Sequence, residues 1–406
     1  MASCWKSRIR LQGDIEIMNH GIYISEIETG IISPSEGYCG LPVVRGTSAK
    51  GPVNEPVLVH KYADAVETFG DSDNWDAHTL SEFIYSQFVL YGQGPAVLIR
   101  AAENSPSSVI GGYNTKTGEY TGLELVHHVY HKFGHAPGIL LAPGFSHNSE
   151  VAAAMTAKAE SVSGVFKCIC LCDAQGDKYT DIPSWKRNNN ITSKRQLLCW
   201  PKVRLNDRTY HMSTHLCGVI NRTDTLHGDV PYKTPSNESM QIDSCVNDSG
   251  KEIYLTLEEA NYLNGQGIVT AINWSGGWRA WGNRTAIYPS VTDVKDCFIP
   301  VRRMFDFIGG IFINEFWQKA DQPITVRLVR EIVNSFNLYL NGLTAREMIL
   351  GGHIEFREDE NDYAALIDGK MKFHLYITPP VPAESIEGVL EYDPSNLDVL
   401  FDAVRG

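Results

Sequence analysis

The sequence predicts an α/β domain followed by a smaller α+β unit, with a loose strand at each end of the chain. Short apolar runs such as Ala96 to Arg100 and Val165 to Asp173 are continuous rather than alternating and are separated by helical patterns. This marks a parallel sheet covered on both faces. Two long amphipathic stretches, Asp293 to Trp317 and Thr325 to Leu340, then precede alternating strands. Finally, Pro379, Pro380 and Pro382 offer no N–H and hold their predecessors extended, so the chain leaves as a stiff spacer and the alternating segment Ile386 to Tyr392 hangs beyond it.

In order, Gly40 to Arg45 reads as a strand leading to the loop Gly46 to Pro52, and Pro56 to His60 as a short strand. A helix from Tyr62 to Phe69 closes at Gly70; Thr79 is expected to cap a helix from Leu80 to Tyr91 that stops at Gly92. The turn-rich excursion Asn104 to Tyr120 separates the Ala96 to Arg100 strand from a helix Gly122 to Phe133. Gly138 to Gly144 is a strand ending in a Pro-Gly turn, Asn148 to Ser161 an alanine-rich helix, and Arg195 to Val203 a further strand after a helix around Trp185 and Arg187. Helices at Ser213 to Thr225 and Glu258 to Asn264, then a strand Ile268 to Ile272, complete the first domain.

At the C-terminal end, His353 to Arg357 and Met371 to Thr378 read as strands whose apolar positions Ile354, Phe356, Phe373, Leu375 and Ile377 form one face of a sheet. Ile386, Val389, Leu390 and Tyr392 belong to a strand with no sheet of its own, an aggregation hazard unless another chain supplies the edge. The N-terminal stretch around Ile22, Tyr23, Ile24 and Ile27 is its counterpart, and adding a strand to a neighbour's sheet is an established binding mode.

A net charge of -13 and a pI near 5.5 argue against direct nucleic-acid binding, which needs clustered Lys and Arg. The nine cysteines form no framework; Cys168, Cys170 and Cys172 share one face of an apolar strand and read as small hydrophobes in a reducing compartment. No metal-ligand spacing or nucleotide motif stands out, so no metal or cofactor is expected. No run approaches the ~20 apolar residues of a membrane span. Met1 to Ile17 carries Lys6, Arg8 and Arg10 without an apolar core and is not read as a secretory signal.

A set of short motifs, in order along the chain, resembles the tail sheath proteins of contractile-tailed bacteriophages and of related phage-tail-like particles. These are Gly21 to Glu26, Asn54 to Val59 with Ala63-Asp64-Ala65 and Phe69-Gly70, Gly118 to Leu123, Ala142-Pro143-Gly144, Trp200-Pro201, Ser236-Asn237, Trp281 to Thr285, Pro323-Ile324-Thr325 with Arg330 to Val333, and Thr378 to Pro382. The resemblance runs from about Gly21 to the C-terminus and leaves Met1 to Ile17 outside the family's pattern.

It implies a structural subunit, not an enzyme, that stacks as homo-hexameric rings around a tail tube and contracts to drive the tube through a host envelope. Its implied partners are copies of itself, the tube protein, and baseplate and terminator proteins, in a virion tail or tail-like particle assembled in the host bacterial cytoplasm. The implied organisation is an extension at 1–20, an N-terminal arm and linker at 21–37, a subtilisin-like α/β domain at 38–292, a tube-facing α+β domain at 293–378, and a C-terminal linker and arm at 379–406. The linkers would turn on Gly30, Pro34 and Gly37 and on Pro379, Pro380 and Pro382, while Arg327, Arg330 and Glu331 would face the tube.

A hydrolase and a generic oligomeric coat or scaffold protein are the competing readings. Gly46-Thr47-Ser48 resembles the segment around a subtilisin nucleophile, but Ser48 comes early in the chain and is followed by Lys50-Gly51-Pro52, which no helix tolerates. His127 and His131 share a helical face, but four imidazoles spread around a helix with His128 and His135 read as solvated. Trp281, Gly282 and Arg284 read as structural: an indole anchoring a loop, a tight turn, and a guanidinium placed at the joint between domains.

Overall fold

The computed structural model describes residues 40–400. The expected N-terminal arm (Ile22, Tyr23, Ile24, Ile27) and linker (Gly30, Pro34, Gly37) lie outside the described residues. In chain order the first part runs β1 (Pro42–Gly46), β2 (Pro56–Val59), α1 (Tyr62–Phe69), α2 (Thr79–Ile84), β3 (Ala96–Arg100), α3 (Pro106–Ile110), the hairpin β4 (Gly111–Asn114) and β5 (Glu119–Gly122), and α4 (Val126–Phe133). It continues with β6 (Ile139–Leu141), α5 (Ser149–Glu160), β7 (Ile169–Asp173), α6 (Ile182–Asn188), β8 (Gln196–Cys199), β9 (Lys202–Leu205), β10 (Arg208–Tyr210) and α7 (Met212–Leu226). Then come β11 (Ser244–Val246), β12 (Glu252–Ile253), α8 (Leu257–Asn264), β13 (Ile268–Asn273) and β14 (Trp278–Trp281). The C-terminal part holds α9 (Val294–Cys297), α10 (Ile299–Phe316), α11 (Val326–Ala345), β15 (Gly351–Glu355), α12 (Tyr363–Ile367) and β16 (His374–Thr378).

The central sheet has the order β14-β13-β8-β7-β6-β1-β3-β2. Its interior is parallel throughout and its two edge strands, β14 and β2, run antiparallel. Strand alternation sends successive side chains to opposite faces, and both faces are buried. Along β7, Ile169 and Leu171 enter the core shared with α1, α2 and α7, while Cys170 and Cys172 enter the one shared with α4, α5 and α8. That two-sided burial explains why the strands read as unbroken apolar runs.

Several elements differ from the sequence reading. The expected strand Arg195 to Val203 is two strands in two sheets, because Pro201 has no N–H to continue a ladder; β9 instead pairs with β10 and β11. The helix expected from Asp293 to Trp317 breaks at Phe298, which is extended (φ -92°, ψ 129°), and α10 restarts with Pro300 in its first turn, where a missing N–H costs nothing. Thr79 does not cap α2: its hydroxyl accepts the Thr47 N–H at 3.2 Å. After Ile84 the helix widens into a π-helical turn over Tyr85–Leu90, closed by the Tyr91 N–H donating to the Ser86 carbonyl. Strands β10, β11 and β12, which complete an antiparallel sheet with β9, and edge strand β14 lie where no strands were expected.

The C-terminal helices bury Met304, Ile308, Leu328, Ile332, Phe336 and Leu340 against Ile354, Leu375 and Ile377 of the β15–β16 hairpin. Two sets of ion pairs fasten α10 to the α/β layer: Arg303 with Asp224 of α7, and Arg195, 1% exposed and just ahead of β8, with Asp306 and Glu160. Arg302 adds Asp296 and Asp306. Buried charges persist only when paired and hydrogen-bonded, so these contacts tie the two layers into one body.

Candidate functional site

The β15–β16 hairpin is antiparallel with Ile354 opposite Leu375 and His353 opposite Tyr376. Its two long edges are not equivalent. On the outer edge of β15, Asn337 of α11 accepts the Ile354 N–H at 3.0 Å and donates to the Ile354 carbonyl at 3.3 Å, so a side-chain amide occupies the place of a neighbouring strand. Because Ile354 therefore points its peptide groups away from β16, its opposite number Leu375 points its own away from β15, and Ile377 and Phe373 follow by alternation. The outward peptide groups of the β16 edge are therefore those of Leu375 and Ile377. Leu375 and Ile377 face the apolar core but are only half-buried, and the ring of Phe356, just past β15, packs tilted against Phe373 with centroids 5.3 Å apart.

The other face of the hairpin is polar and aromatic. The Tyr376 ring stacks between His353 (4.5 Å) and His374 (4.4 Å), and its hydroxyl accepts from Arg357 at 2.9 Å. Glu360 accepts from His374 at 3.0 Å and pairs with Lys372 at 3.7 Å.

Beyond β16 the chain passes Pro379, Pro380 and Pro382 and runs without regular structure through residues 383–392. Ile386 is 90% exposed and Leu390 100%, with Val389 and Tyr392 similarly open. Arg284 holds this tail, gripping Glu384 through Nε (2.8 Å) and Nη2 (2.5 Å). The guanidinium lies over Phe298 at 3.7 Å and Tyr288 at 4.6 Å, and the Arg284–Phe298 bridge links the end of the α/β layer to the start of α10. Trp281 ends β14 with its indole N–H donating to Asn261 at 3.0 Å; the φ of +134° at Gly282 and the approach of Val269 leave no room for a side chain there. Arg327, Arg330 and Glu331 are exposed on α11, and Glu331 pairs with Lys319.

Hydroxyls, an imidazole and carboxylates meet at the carboxyl ends of the parallel strands. Asp173 accepts from the Ser213 N–H (2.9 Å), the Ser213 hydroxyl (2.6 Å) and the Ser146 hydroxyl (2.9 Å). Glu82 accepts from the His211 N–H (2.7 Å), the His211 ring (2.8 Å) and the Thr214 hydroxyl (3.0 Å). Both carboxylates thus sit at the N-terminus of α7, where the helix dipole favours negative charge. Ser213 and His211 are each committed to a carboxylate rather than to each other, so the serine–histidine bond of nucleophilic catalysis is not formed. Ser48 is buried and donates to the Lys50 carbonyl.

Burial opposes the charge on His211, but Glu82 overrides it and raises the imidazole to about 9. One helical turn on, burial alone lowers His215 to about 3, and its Nδ1 meets the Tyr91 hydroxyl at 3.0 Å. In the histidine-rich helix, His127 accepts the Ser163 N–H at 2.9 Å and His128 packs against Tyr120. Among the described residues no group of three or more His, Cys, Asp or Glu could hold a metal ion, and no helix is long and apolar enough to cross a membrane.

Asn337 and Glu384 escaped sequence reasoning. The sign available for Asn337 was a polar residue four positions after Val333, on the flank of an apolar stripe; Glu384 carries no comparable sign.

Residues 118–286 match the family model described as the phage tail sheath protein central domain. The chain is 28% identical over 385 residues to the putative prophage major tail sheath protein of Pseudomonas aeruginosa (strain UCBPP-PA14), covering 90% of this chain and 94% of that one. It is 26% identical over 392 residues to the tail sheath protein of Escherichia phage P2, covering 91% and 94%. Its fold is similar to a chain of the six-fold symmetrised baseplate of the anti-feeding prophage (TM-score 0.69, 20% identity, 92% of this chain and 99% of that one). It is equally similar to a chain of the contracted sheath complex of an extracellular contractile injection system (TM-score 0.69, 15% identity, 93% and 98%).

Proposed function

Since this chain carries the phage tail sheath central domain and is a structural subunit of a contractile tail or phage-like injection sheath, we propose that it works by lending its ends to neighbouring copies. The observation that carries this is the tail: Ile386 and Leu390 stand in solvent while the β16 edge of the same molecule lacks a strand. Each arm hydrogen bond contributes roughly 0.5–1.5 kcal/mol net, and each apolar side chain covered adds roughly 1.5–3 kcal/mol. Such an arm holds while its linker bends.

On this reading copies stack as six-fold rings around a tail tube, and the rings shorten together to drive the tube through a host envelope. The residues 38–292 form a subtilisin-like domain, supported by the parallel order β3-β1-β6-β7-β8-β13 with helices on both faces, and 293–378 form the tube-facing domain, with Arg327, Arg330 and Glu331 toward the tube. The tube protein, baseplate and terminator are its further partners, and the tail of a virion or tail-like particle, assembled in the host cytoplasm, is its place. Work comes from a metastable lattice multiplied over many copies, which requires no catalytic residue. The carboxylate-bound Ser213 and His211 favour this over a hydrolase.

Negative-stain microscopy of the purified full chain tests the proposal. Long hollow tubes with six-fold helical order are expected; a concentrated preparation that stays monomeric, or forms closed shells, would overturn it.

A further inference from the structure

Arg284 is held more firmly than a surface cation needs to be. Its backbone bridges to Phe298, with the Thr285 N–H donating to the Cys297 carbonyl (2.8 Å) and the Ile299 N–H to the Asn283 carbonyl (2.9 Å). Its guanidinium lies over Phe298 and Tyr288, and Nη1 donates to the Cys297 sulfur at 2.9 Å. These contacts leave the side chain 15% exposed and turn Nε and Nη2 outward as a two-point edge that matches a carboxylate. The carboxylate seated there is Glu384, in a stretch from Ala383 to Tyr392 that is exposed throughout.

We infer that Arg284 is a positioning residue for the C-terminal arm: by clasping Glu384 it fixes the point from which the arm leaves the body, and with it the space in which the arm meets a neighbouring copy. The tail emerges from β16, but the clasp ties it to the end of the α/β layer, and Pro379, Pro380 and Pro382 stiffen the run between the two attachments. The inference rests on the arm-exchange reading above and is independent of which surface of the neighbour receives the arm.

Chain reach sets the size of the effect. With the clasp closed, Ile386 lies two residues from a fixed point and ranges within about 7 Å of it; with the clasp open, the nearest half-buried residue upstream is Pro382, and four residues give about 14 Å. Doubling the radius dilutes the arm about eightfold. A surface pair of this kind is closed only about one to five times as often as open, so removing it lowers the local concentration of the arm by about fivefold on average. A clasp of that strength also opens when neighbouring copies shift, without unfolding either layer.

The test uses the full chain carrying Glu384→Ala, with sedimentation and negative stain reading the protein concentration at which tubes form. At low salt that threshold is expected to rise about fivefold over the wild type, and at high salt the two chains should converge, because screening opens the wild-type clasp as well. Glu384→Asp keeps a carboxylate on a tail that can shift by one methylene and should assemble close to the wild-type threshold. Both substitutions leave Arg284, Phe298 and Tyr288 in place, so a role confined to packing at the joint would move none of these readings, and an unchanged far-UV spectrum confirms the fold. Equal thresholds for wild type and Glu384→Ala, a rise that persists unchanged at high salt, or a Glu384→Asp chain as impaired as Glu384→Ala would each overturn the clasp. A chain truncated after Pro382 keeps the two levels apart: if it forms no tubes, those results bear on Arg284 alone, and if it forms them, arm exchange fails and this inference with it.

Discussion

Arg284 and Glu384, a hundred positions apart in sequence, meet in a two-point ion pair at the place where the C-terminal tail leaves the body of the protein. Arg284 is mostly shielded between Phe298 and Tyr288, whereas Glu384 is largely open, so solvent screens the pair and its share of global stability is small, within the ~0–1 kcal/mol of surface pairs. Its effect is local. Glu384→Ala is expected to leave the melting temperature nearly unchanged while limited proteolysis cleaves residues 383–392 faster; equal cleavage rates would show that the contact does not hold the tail.

The pair joining α10 to α7 is a different case, because Arg303 and Asp224 are both buried. Asp224→Ala removes the carboxylate that holds Arg303 at two points and should cost about 3–5 kcal/mol in urea unfolding. The double variant Asp224→Ala with Arg303→Met should lose less than the sum of the two single losses, since both single variants break the same pair. Additive losses would mean the two side chains are not coupled.

His211 and His215 give the stability curve opposite limbs. For His211, raised from 6.5 to about 9, the stabilisation is fully present below pH 6.5 and is lost as pH rises through about 9. For His215, lowered from 6.5 to about 3, stability is intact above pH 6.5 and is lost as pH falls toward 3, because the unfolded imidazole takes up a proton that the buried one refuses. Thermal unfolding across this range should therefore peak near neutrality. His211→Asn should flatten the alkaline limb and leave the acid limb in place; a variant with both limbs unchanged would contradict the Glu82 pairing.

Truncation after Pro382 removes the exposed arm but none of the buried core residues. The shortened chain should be a soluble monomer with the full chain's melting temperature to within a degree or two, read by calorimetry and size-exclusion chromatography. A large fall in melting temperature would show that the arm belongs to its own fold.

Much of this architecture was legible from local chemistry. The continuous apolar runs at Ala96 to Arg100 and Val165 to Asp173 announce strands buried on both faces, the second forming only over Ile169–Asp173, and three- and four-residue spacing announces α11, because burial of a periodic face is a property a short segment carries by itself. Proline likewise signals the departing tail, since a missing N–H acts wherever the residue stands. What the tertiary structure alone decided are contacts between distant segments. Asn337 is an ordinary helical residue until β15 is laid against it, Arg284 an ordinary cation until Phe298, Tyr288 and Glu384 surround it, and Ser213 an ordinary first-turn residue until Asp173 claims its hydroxyl. Partner choice depends on which groups the closed chain brings within about 3 Å, and hydrogen bonds weaken too steeply with distance and angle for any local pattern to encode it.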